Sequence, residues 1–334
     1  MNLRLLIKLT AALYVLLVSP ALAISCGGSS LWTKMPAATK AQLRANAARQ
    51  PFPSGRFFKI EKGGQVSYLL GTIHVPPIKQ LALPSFVLDQ VPNSRVVYLE
   101  KTNREFDAFS SMLRANPGYY RSSGLNGFAK HFTAAEQSVL RKNLSDVGWG
   151  RGALDTLQPW FIFDEISGIG CGQDSEGFKR SLDERVLRKA SRHKRPTAGL
   201  ETPELVDRYY RELSKNQLIV MLKSLPTMNP RFPHGGLGKA VISLLAAEEV
   251  VLAMQFQEFI EAQHLDRRGV QMRKDFFDKK ILHARNKAWM PALTRAFNNG
   301  GAFVAVGAAH LNGTYGLLPM LHKRGYKITR IPLK

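Results

Sequence analysis

Cysteine is scarce in this chain: the 334 residues contain two, Cys26 and Cys171. They lie too far apart to form a Cys-x-x-Cys pair, which argues against a zinc knuckle. A small scaffold that depends on several disulfides is excluded as well, because two cysteines form at most one bond. A chain of this length can instead bury a full hydrophobic core, in one large domain or two ordinary ones.

Acidic residues are also few. The sequence has 25 Asp and Glu against 47 Lys and Arg, which gives a formal net charge of +22 at pH 7. Its 45% of hydrophobic residues is typical of a folded globular protein and excludes a disordered chain. A surplus of positive charge attracts anions, so an anionic envelope surface is one expected partner. Most of the basic residues are expected to form an ordinary solvated surface.

Three common catalytic motifs are absent from the sequence. It has no His-Glu-x-x-His zinc-protease helix, no Gly-x-Ser-x-Gly nucleophile elbow and no phosphate-binding loop that ends in Gly-Lys-Ser/Thr. Internal repeats of 20 to 50 residues are absent too. No known nucleic-acid-binding module is present, so nucleic acid is not an expected partner.

Residues 1–23 have the pattern of a secretory signal peptide. Arg4 and Lys8 form a positive start, a short apolar stretch follows, and a small-residue cleavage site ends at Ala23. The apolar stretch is too short for a membrane span, and the mature chain has no segment of transmembrane length. We therefore expect the protein to be exported, either to the periplasm or out of the cell.

Export would place both cysteines in an oxidising compartment. Cys26 and Cys171 could then form one disulfide. Alternatively, the sequence Ala-Ile-Ser-Cys that ends at Cys26 is an imperfect lipoprotein cleavage site, so Cys26 could carry a lipid anchor. Two free thiols are the third alternative.

Strand patterns lie at the two ends of the chain, and helical patterns lie between them. Residues 24–55 are predicted to be an N-terminal tether with one short helix. Residues 56–334 are predicted to form a single domain with a mostly helical insertion at about 105–298. This order favours an α/β fold, α+β-like in its segregation, around a central mixed β-sheet. The predicted strands cover residues 56–61, 65–70, 94–99, 196–200, 301–306 and 326–331.

Three further segments of the insertion have clear patterns. Apolar residues with helical spacing predict long helices over residues 241–264 and 270–298. Three prolines and three glycines predict a loop over residues 226–238.

Two of the predicted strands end in the same motif. One apolar strand runs into Gly71-Thr-Ile-His74, and another runs into Gly307-Ala-Ala-His310. Glycine would let the chain leave each strand in a conformation that other residues resist. Ligands bind beyond the carboxyl ends of strands in open α/β sheets. The repeated motif therefore predicts that both histidines lie at such an edge.

Two glutamates follow predicted strands in a similar way. Glu100 comes directly after Val-Val-Tyr-Leu, and Glu201 comes after Thr-Ala-Gly-Leu. With the two histidines they could place two imidazoles and two carboxylates at one sheet edge. That composition suits a divalent metal such as Zn, Mn or Co. It also suits activation of a water molecule, with one glutamate as the general base.

These segments resemble the TraB/GumN family of bacterial proteins, which is related to the animal Tiki metalloproteases that act on Wnt. The resemblance covers about residues 56–331. The segments that match best are Leu70-Gly71-Thr72-Ile73-His74-Val75, Val97-Tyr98-Leu99-Glu100, Gln158-Pro159-Trp160, Gly199-Leu200-Glu201-Thr202, Arg285-Asn286 and Val304-Ala305-Val306-Gly307-Ala308-Ala309-His310-Leu311.

The resemblance implies an α/β fold in which the two Gly-x-x-His motifs face each other. For the Tiki branch it also implies metal-dependent proteolysis. The implied metal ligands are His74, His310 and Glu100, and the implied cofactor is Mn, Co or Zn. The other implied site residues are the catalytic candidates Glu201 and Arg285 and the supporting residues Gly71, Gly307, Asp183 and Asn286.

This chain departs from the family pattern at two loops. Ser181 and Leu182 precede Asp183, where the family often has a glycine. A threonine, a proline and a glutamate follow Glu201, where the family often has a glutamine nearby. Neither change removes a proposed ligand, but both affect the local loop geometry.

The predicted mechanism is hydrolysis. A metal held by His74, His310 and one glutamate lowers the pKa of a bound water, and the other glutamate accepts its proton. Arg285 stabilises the oxyanion. The predicted protein is an exported, peptidase-like hydrolase with a peptide or protein substrate. The alternative is a non-enzymatic envelope protein that binds haem or another ligand through the same scaffold.

Overall fold

The computed structural model describes residues 29–73, 82–167, 181–225, 228, 234–263 and 265–333. The predicted signal peptide, Cys26, Cys171 and His74 lie outside the described residues. No helix of the described ranges is both long enough and apolar enough to cross a bilayer.

A six-stranded mixed sheet forms the centre of the domain, as the sequence predicts. Its strand order is β4-β3-β5-β2-β1-β6. The pairs β2–β5, β5–β3 and β3–β4 are parallel, whereas β1 is antiparallel to both β2 and β6. All six predicted strands are confirmed, with bounds β1 Phe57–Lys62, β2 Gln65–Thr72, β3 Val96–Leu99, β4 Thr197–Gly199, β5 Ala302–Gly307 and β6 Lys327–Arg330.

The β1–β2 hairpin turns at two glycines. Gly63 and Gly64 have φ of 56° and 77°, and Lys62 pairs with Gln65 across the turn. A two-residue turn with both φ values positive matches the right-handed twist of the strands, and glycine adopts it without steric cost.

Most of the other elements in the described chain are α-helices. Most of them lie between β3 and β5. We number them α1 Leu31–Lys34, α2 Ala37–Ala48, α3 Ser85–Leu88, α4 Asn103–Ala115, α5 Ala134–Asp146, α6 Ala153–Thr156, α7 Pro159–Ser167, α8 Leu182–Arg192, α9 Pro203–Arg211, α10 Lys215–Lys223, α11 His234–Ala246, α12 Val250–Ala262, α13 Arg267–Lys274, α14 Arg285–Asn298 and α15 Leu317–His322. A π-helix, Asp275–Ala284, joins α13 to α14.

Of the two long helices predicted, the one over residues 270–298 is helical throughout, as α13, the π-helix and α14, whereas the other is interrupted. The pattern over residues 241–264 is divided into α11 and α12 at Glu248, whose φ is 60°. The break places the buried carboxylate of Glu248 where it accepts hydrogen bonds from the backbone N–H groups of Arg56 and Leu333, each at 3.2 Å. The loop predicted over residues 226–238 is too long at its C-terminal end, because α11 begins at His234.

The N-terminal segment predicted as a tether is a packed part of the fold over its described residues. Helix α2 matches the short helix that the sequence predicts. Leu43 and Ala47 of α2 are buried against α12, and Leu31 and Trp32 of α1 pack into the same cluster. The tether prediction was wrong here because the helix buries apolar side chains from only a few positions, a weak amphipathic pattern.

Hydrophobic residues cover both faces of the sheet. On one face, Trp289, Leu293 and Phe297 of α14 pack against β2 and β5. On the other face, Val186 and Ala190 of α8 pack against β3 and β5. β5, the strand between β2 and β3, is therefore fully buried. This burial fixes the positions of the loops that follow the parallel strands.

Candidate active site

The parallel strands bring chain-distant residues to one edge of the sheet. Leu99 at the end of β3 pairs with both Gly199 of β4 and Ala305 of β5. Glu100 and Glu201 therefore emerge side by side, and His310 follows β5 in a short 3-10 turn. Carboxyl ends of adjacent parallel strands are where α/β folds bind ligands. The structure brings these three residues together at one edge of the sheet, as the sequence predicts.

The two motif glycines serve a different purpose from the one predicted. Neither Gly71 nor Gly307 has a positive φ. A Cβ at Gly71 would lie 3.1 Å from the Cα and Cβ of Ala308, so small size is what the position requires. The N–H of Gly307 donates to Oε1 of Glu100 at 2.7 Å. The first glycine allows close packing of β2 against the turn after β5, and the second orients a carboxylate.

Arg285 is the residue that joins the site together. It is the first residue of α14, directly after the π-helix, and its side chain is 7% exposed. Its guanidinium donates through Nη2 to Oε2 of Glu100 at 2.7 Å and through Nε to Oε2 of Glu201 at 2.9 Å. Nη1 lies 3.1 Å from Nε2 of His310. Burial alone would lower the pKa of Arg285, but the carboxylates of Glu100 and Glu201 raise it above its usual value.

Glu201 has its carboxylate fully enclosed, with a side chain that is 0% exposed. Besides the bidentate pair with Arg285, it accepts from the indole Nε1 of Trp289 at 3.0 Å. The ammonium of Lys101 lies 3.1 Å from Oε1. A carboxylate with this many donors is well compensated for its burial and is suited to holding Arg285 in place.

His310 has its tautomer set by Asn286. The amide Nδ2 of Asn286 donates to the carbonyls of His310 and Tyr315 at 3.1 and 2.8 Å, so its Oδ1 is left to accept. That Oδ1 lies 2.8 Å from Nδ1 of His310, which must carry the proton. Nε2 is then the acceptor, and this agrees with Arg285, which can only donate to it.

Glu100 is the carboxylate that faces open space. Its side chain is 12% exposed, and Oε1 lies 3.9 Å from Nε2 of His310. Glu100, Arg285 and His310 line one end of a cavity of about 620 Å³, and the described lining residues include Glu100 but not Glu201. The two glutamates that the sequence treats alike therefore have different surroundings.

Asp183 stands at the start of α8, opposite the end of β2. It accepts a hydrogen bond from Oγ1 of Thr72 at 2.9 Å, and both residues line the cavity. Thr72 is two residues before His74. The contact holds the chain at the point where it leaves the sheet toward that histidine.

Sequence reasoning missed two members of this site, Lys101 and Trp289. Lys101 directly follows Glu100, and Trp289 lies four residues after Arg285, which is one helical turn along the same face. Trp289 also contacts His310, with ring centroids 4.5 Å apart, and lies 5.0 Å from the Arg285 guanidinium. The helical spacing of Trp289 from Arg285 could have identified it from the sequence, whereas no sequence pattern distinguishes Lys101.

A second group of acidic residues lies on α7 and α9. Burial, together with the nearby charges of Asp207 and Glu165, raises the pKa of Asp164 to about 7. Burial also raises the pKa of Asp207 to about 6, although the hydroxyl of Tyr119 donates to it at 3.0 Å. The Lys101 ammonium acts on both carboxyls in the opposite direction. Lys101 therefore links this group electrostatically to Glu201.

The donors of the site fit a divalent metal. Nε2 of His310 is an acceptor nitrogen in a fixed tautomer, which is the usual arrangement of a ligating histidine and its hydrogen-bonded partner. It lies 3.1 Å from Nη1 of Arg285, so a bound cation would have to take the place of that contact. An oxygen of Glu100 lies close to it, and nitrogen with carboxylate oxygen suits Zn, Mn or Co. Within the described ranges, no three such side chains form a complete ligand set. His74, the implied third ligand, falls outside those ranges.

Comparison with known proteins identifies the family of this chain. The family model of the TraB/PrgY/gumN family matches residues 56–330, so the chain belongs to that family. A search of curated protein sequences finds no match.

Proposed function

We propose that this protein is an exported, metal-dependent hydrolase that cleaves peptide bonds. The observation that supports the proposal most directly is the arrangement around His310. Its Nε2 lone pair, the carboxylate of Glu100 and the guanidinium of Arg285 meet at the end of one cavity. A basic nitrogen, an acid–base group and a fixed cation are the parts that hydrolysis of an acyl bond requires.

His74, His310 and Glu100 would hold the metal, which would be Mn, Co or Zn. When bound, such a cation lowers the pKa of a coordinated water and polarises a substrate carbonyl. The chain's own contribution begins with Asn286, which keeps Nε2 of His310 unprotonated and correctly directed.

Glu100 is the proton acceptor of the proposed reaction. It has two carboxylate oxygens, so one can bind a cation while the other takes a proton from the attacking water. The hydroxide adds to the carbonyl carbon, the carbon–nitrogen bond breaks, and the proton passes from Glu100 to the leaving amine. Glu201 is enclosed by Arg285, Trp289 and Lys101, so it is assigned a positioning role.

Arg285 stabilises the negative charge that develops on the carbonyl oxygen. Its guanidinium is held by Glu100 and Glu201, so it need not reorganise during the reaction. Asp183, through Thr72, supports the end of β2 that leads to His74.

Elemental analysis of the purified mature protein tests the proposal. We expect about one Mn, Co or Zn per chain, lost in the His74→Ala/His310→Ala variant and retained in a His193→Ala control, whose histidine is exposed directly after the end of α8. Hydrolysis of a peptide library by the metal-loaded protein should follow the same pattern. A protein that takes up no metal after loading with each ion would refute the proposal.

Export is proposed from residues 1–23 alone. The expected result is that the protein recovered outside the cytoplasm begins at Ile24, by mass spectrometry of the intact chain. A mature chain that retains residues 1–23 would contradict it.

A further inference from the structure

The cavity of the site extends well beyond its charged end. From Glu100, Arg285 and His310 it continues between α11, α12 and the π-helix. The walls there are mostly apolar, and we call this part the apolar chamber, defined by Val206, Val241, Leu245, Met254, Phe277 and Ile281. The whole cavity, at about 620 Å³, has the size of a small-ligand site.

The chamber's apolar side chains are not fully packed by the protein. Val241 and Leu245 of α11, Met254 of α12, and Phe277 and Ile281 of the π-helix are each partly exposed. Apolar surface in a concave site gains free energy when an apolar ligand displaces water from it. These positions therefore favour an occupant of the same character.

Charged residues of α12, α13 and the π-helix also line the cavity, and they form ion pairs. Lys274 lies 2.7 Å from Asp278 and 3.3 Å from Glu258, and Arg273 forms an ion pair with Glu261. A charged ligand group would have to compete with these pairs and lose its own hydration. Charge complementarity in the chamber consequently favours a neutral occupant.

We propose that the apolar chamber binds a large aliphatic or aromatic side chain next to the cleaved bond. The substrate class is then a peptide that has such a residue at its cleavage site, with the bond itself at Glu100 and Arg285. This inference rests on the proposed hydrolase function, and it adds the specificity of that function.

Two variants and one matched control test it. Met254→Glu adds a negative charge to the chamber wall, and Val241→Phe reduces the chamber volume. Leu125→Glu makes the same kind of change at a residue that is 82% exposed and does not line the cavity. Thermal unfolding of each variant establishes that it is folded before its activity is measured.

The metal-loaded proteins are given a peptide library, and cleavage sites are read by mass spectrometry. For the wild type we expect leucine, methionine or phenylalanine on one side of the cleaved bond. Met254→Glu should lower kcat/KM for such peptides by at least about tenfold, and Val241→Phe should shift the preference to smaller residues. Leu125→Glu should match the wild type. The inference would be overturned if the wild type cleaved without an apolar preference, or if both chamber variants had the same cleavage profile as the wild type. Either result would leave the hydrolase function intact.

A binding measurement separates the two proposals when no peptide is cleaved. Absence of cleavage with all three metals refutes the hydrolase function. Saturation-transfer NMR then tests ligand binding by the chamber independently of cleavage. N-acetyl-phenylalaninamide should bind the wild type and the Leu125→Glu control but not Met254→Glu, whereas N-acetyl-asparaginamide should bind none. Equal signals from wild type and Met254→Glu, or no signal from either, would overturn the chamber as a binding site.

Discussion

Replacement of Arg285 by methionine is the perturbation whose outcome the structure constrains best. The substitution keeps much of the side-chain volume but removes the charge that faces Glu100 and Glu201. Glu201 would then be a fully enclosed carboxylate that has lost its bidentate partner. Removal of one member of a buried ion pair costs about 3–5 kcal/mol of unfolding free energy.

Two remaining contacts of Glu201 place the loss in the lower part of that range. Lys101 remains 3.1 Å from Oε1 of Glu201, and Trp289 still donates to Oε2, so the carboxylate is not left without donors. These contacts favour a loss near the lower value, about 3 kcal/mol. The double variant Arg285→Met/Glu201→Gln should recover part of the loss, because it removes the uncompensated charge.

Urea unfolding at pH 7, followed by tryptophan fluorescence, measures these differences. The midpoint should fall for Arg285→Met with an unchanged slope, and it should rise again in the double variant. Arg285→Lys, which keeps one charge but not the bidentate geometry, should lie between wild type and methionine. A loss below about 1 kcal/mol for Arg285→Met, the value of a solvent-exposed pair, would refute the reading of Arg285 as the buried centre of the site.

Three further outcomes follow from the site. Gly71→Ala places a Cβ 3.1 Å from the Ala308 backbone, so it should lower unfolding free energy by about 1–3 kcal/mol, measured by urea unfolding; an unchanged midpoint would contradict the packing role of that glycine. Asn286→Leu leaves the His310 tautomer unfixed and should weaken metal binding by about 10–100-fold in isothermal titration, whereas equal affinity would show that Asn286 has no part in it. The raised pKa of Asp164, about 7, means that the folded state holds a proton which the unfolded state releases near pH 4, so stability should fall as pH rises between 4 and 7. Asp164→Asn should flatten that dependence in urea unfolding at pH 5 and 7, and an identical slope in the variant would refute the assignment.

The sheet was predictable because each strand has a local signature. Apolar runs with β-branched residues, bounded by glycines or prolines, mark β3 and β5 within one or two residues of their observed bounds. Glu100, Glu201 and His310 were predictable for the same reason, since each follows such a run. Parallel pairing then brings them together without further information.

The remaining features depend on long-range contacts that local patterns do not contain. The break at Glu248 exists because its carboxylate meets the backbone of residues far away in the chain, Arg56 and Leu333. The different surroundings of Glu100 and Glu201 arise from Lys101 and Trp289, whose side chains reach only one of the two. Likewise, the reason for a glycine at position 71 is its neighbour Ala308 and not its own backbone conformation.

The position of β5 has a consequence for the order of folding. This strand lies between β2 and β3, yet it is formed by residues 302–307, near the end of the chain. β2 and β3 therefore cannot pair with the strand between them until almost all of the polypeptide has been synthesised. Such distant pairing makes collapse into the final topology slow. The delay would suit the export proposed above, because a polypeptide that passes through a translocation channel must still be an extended chain.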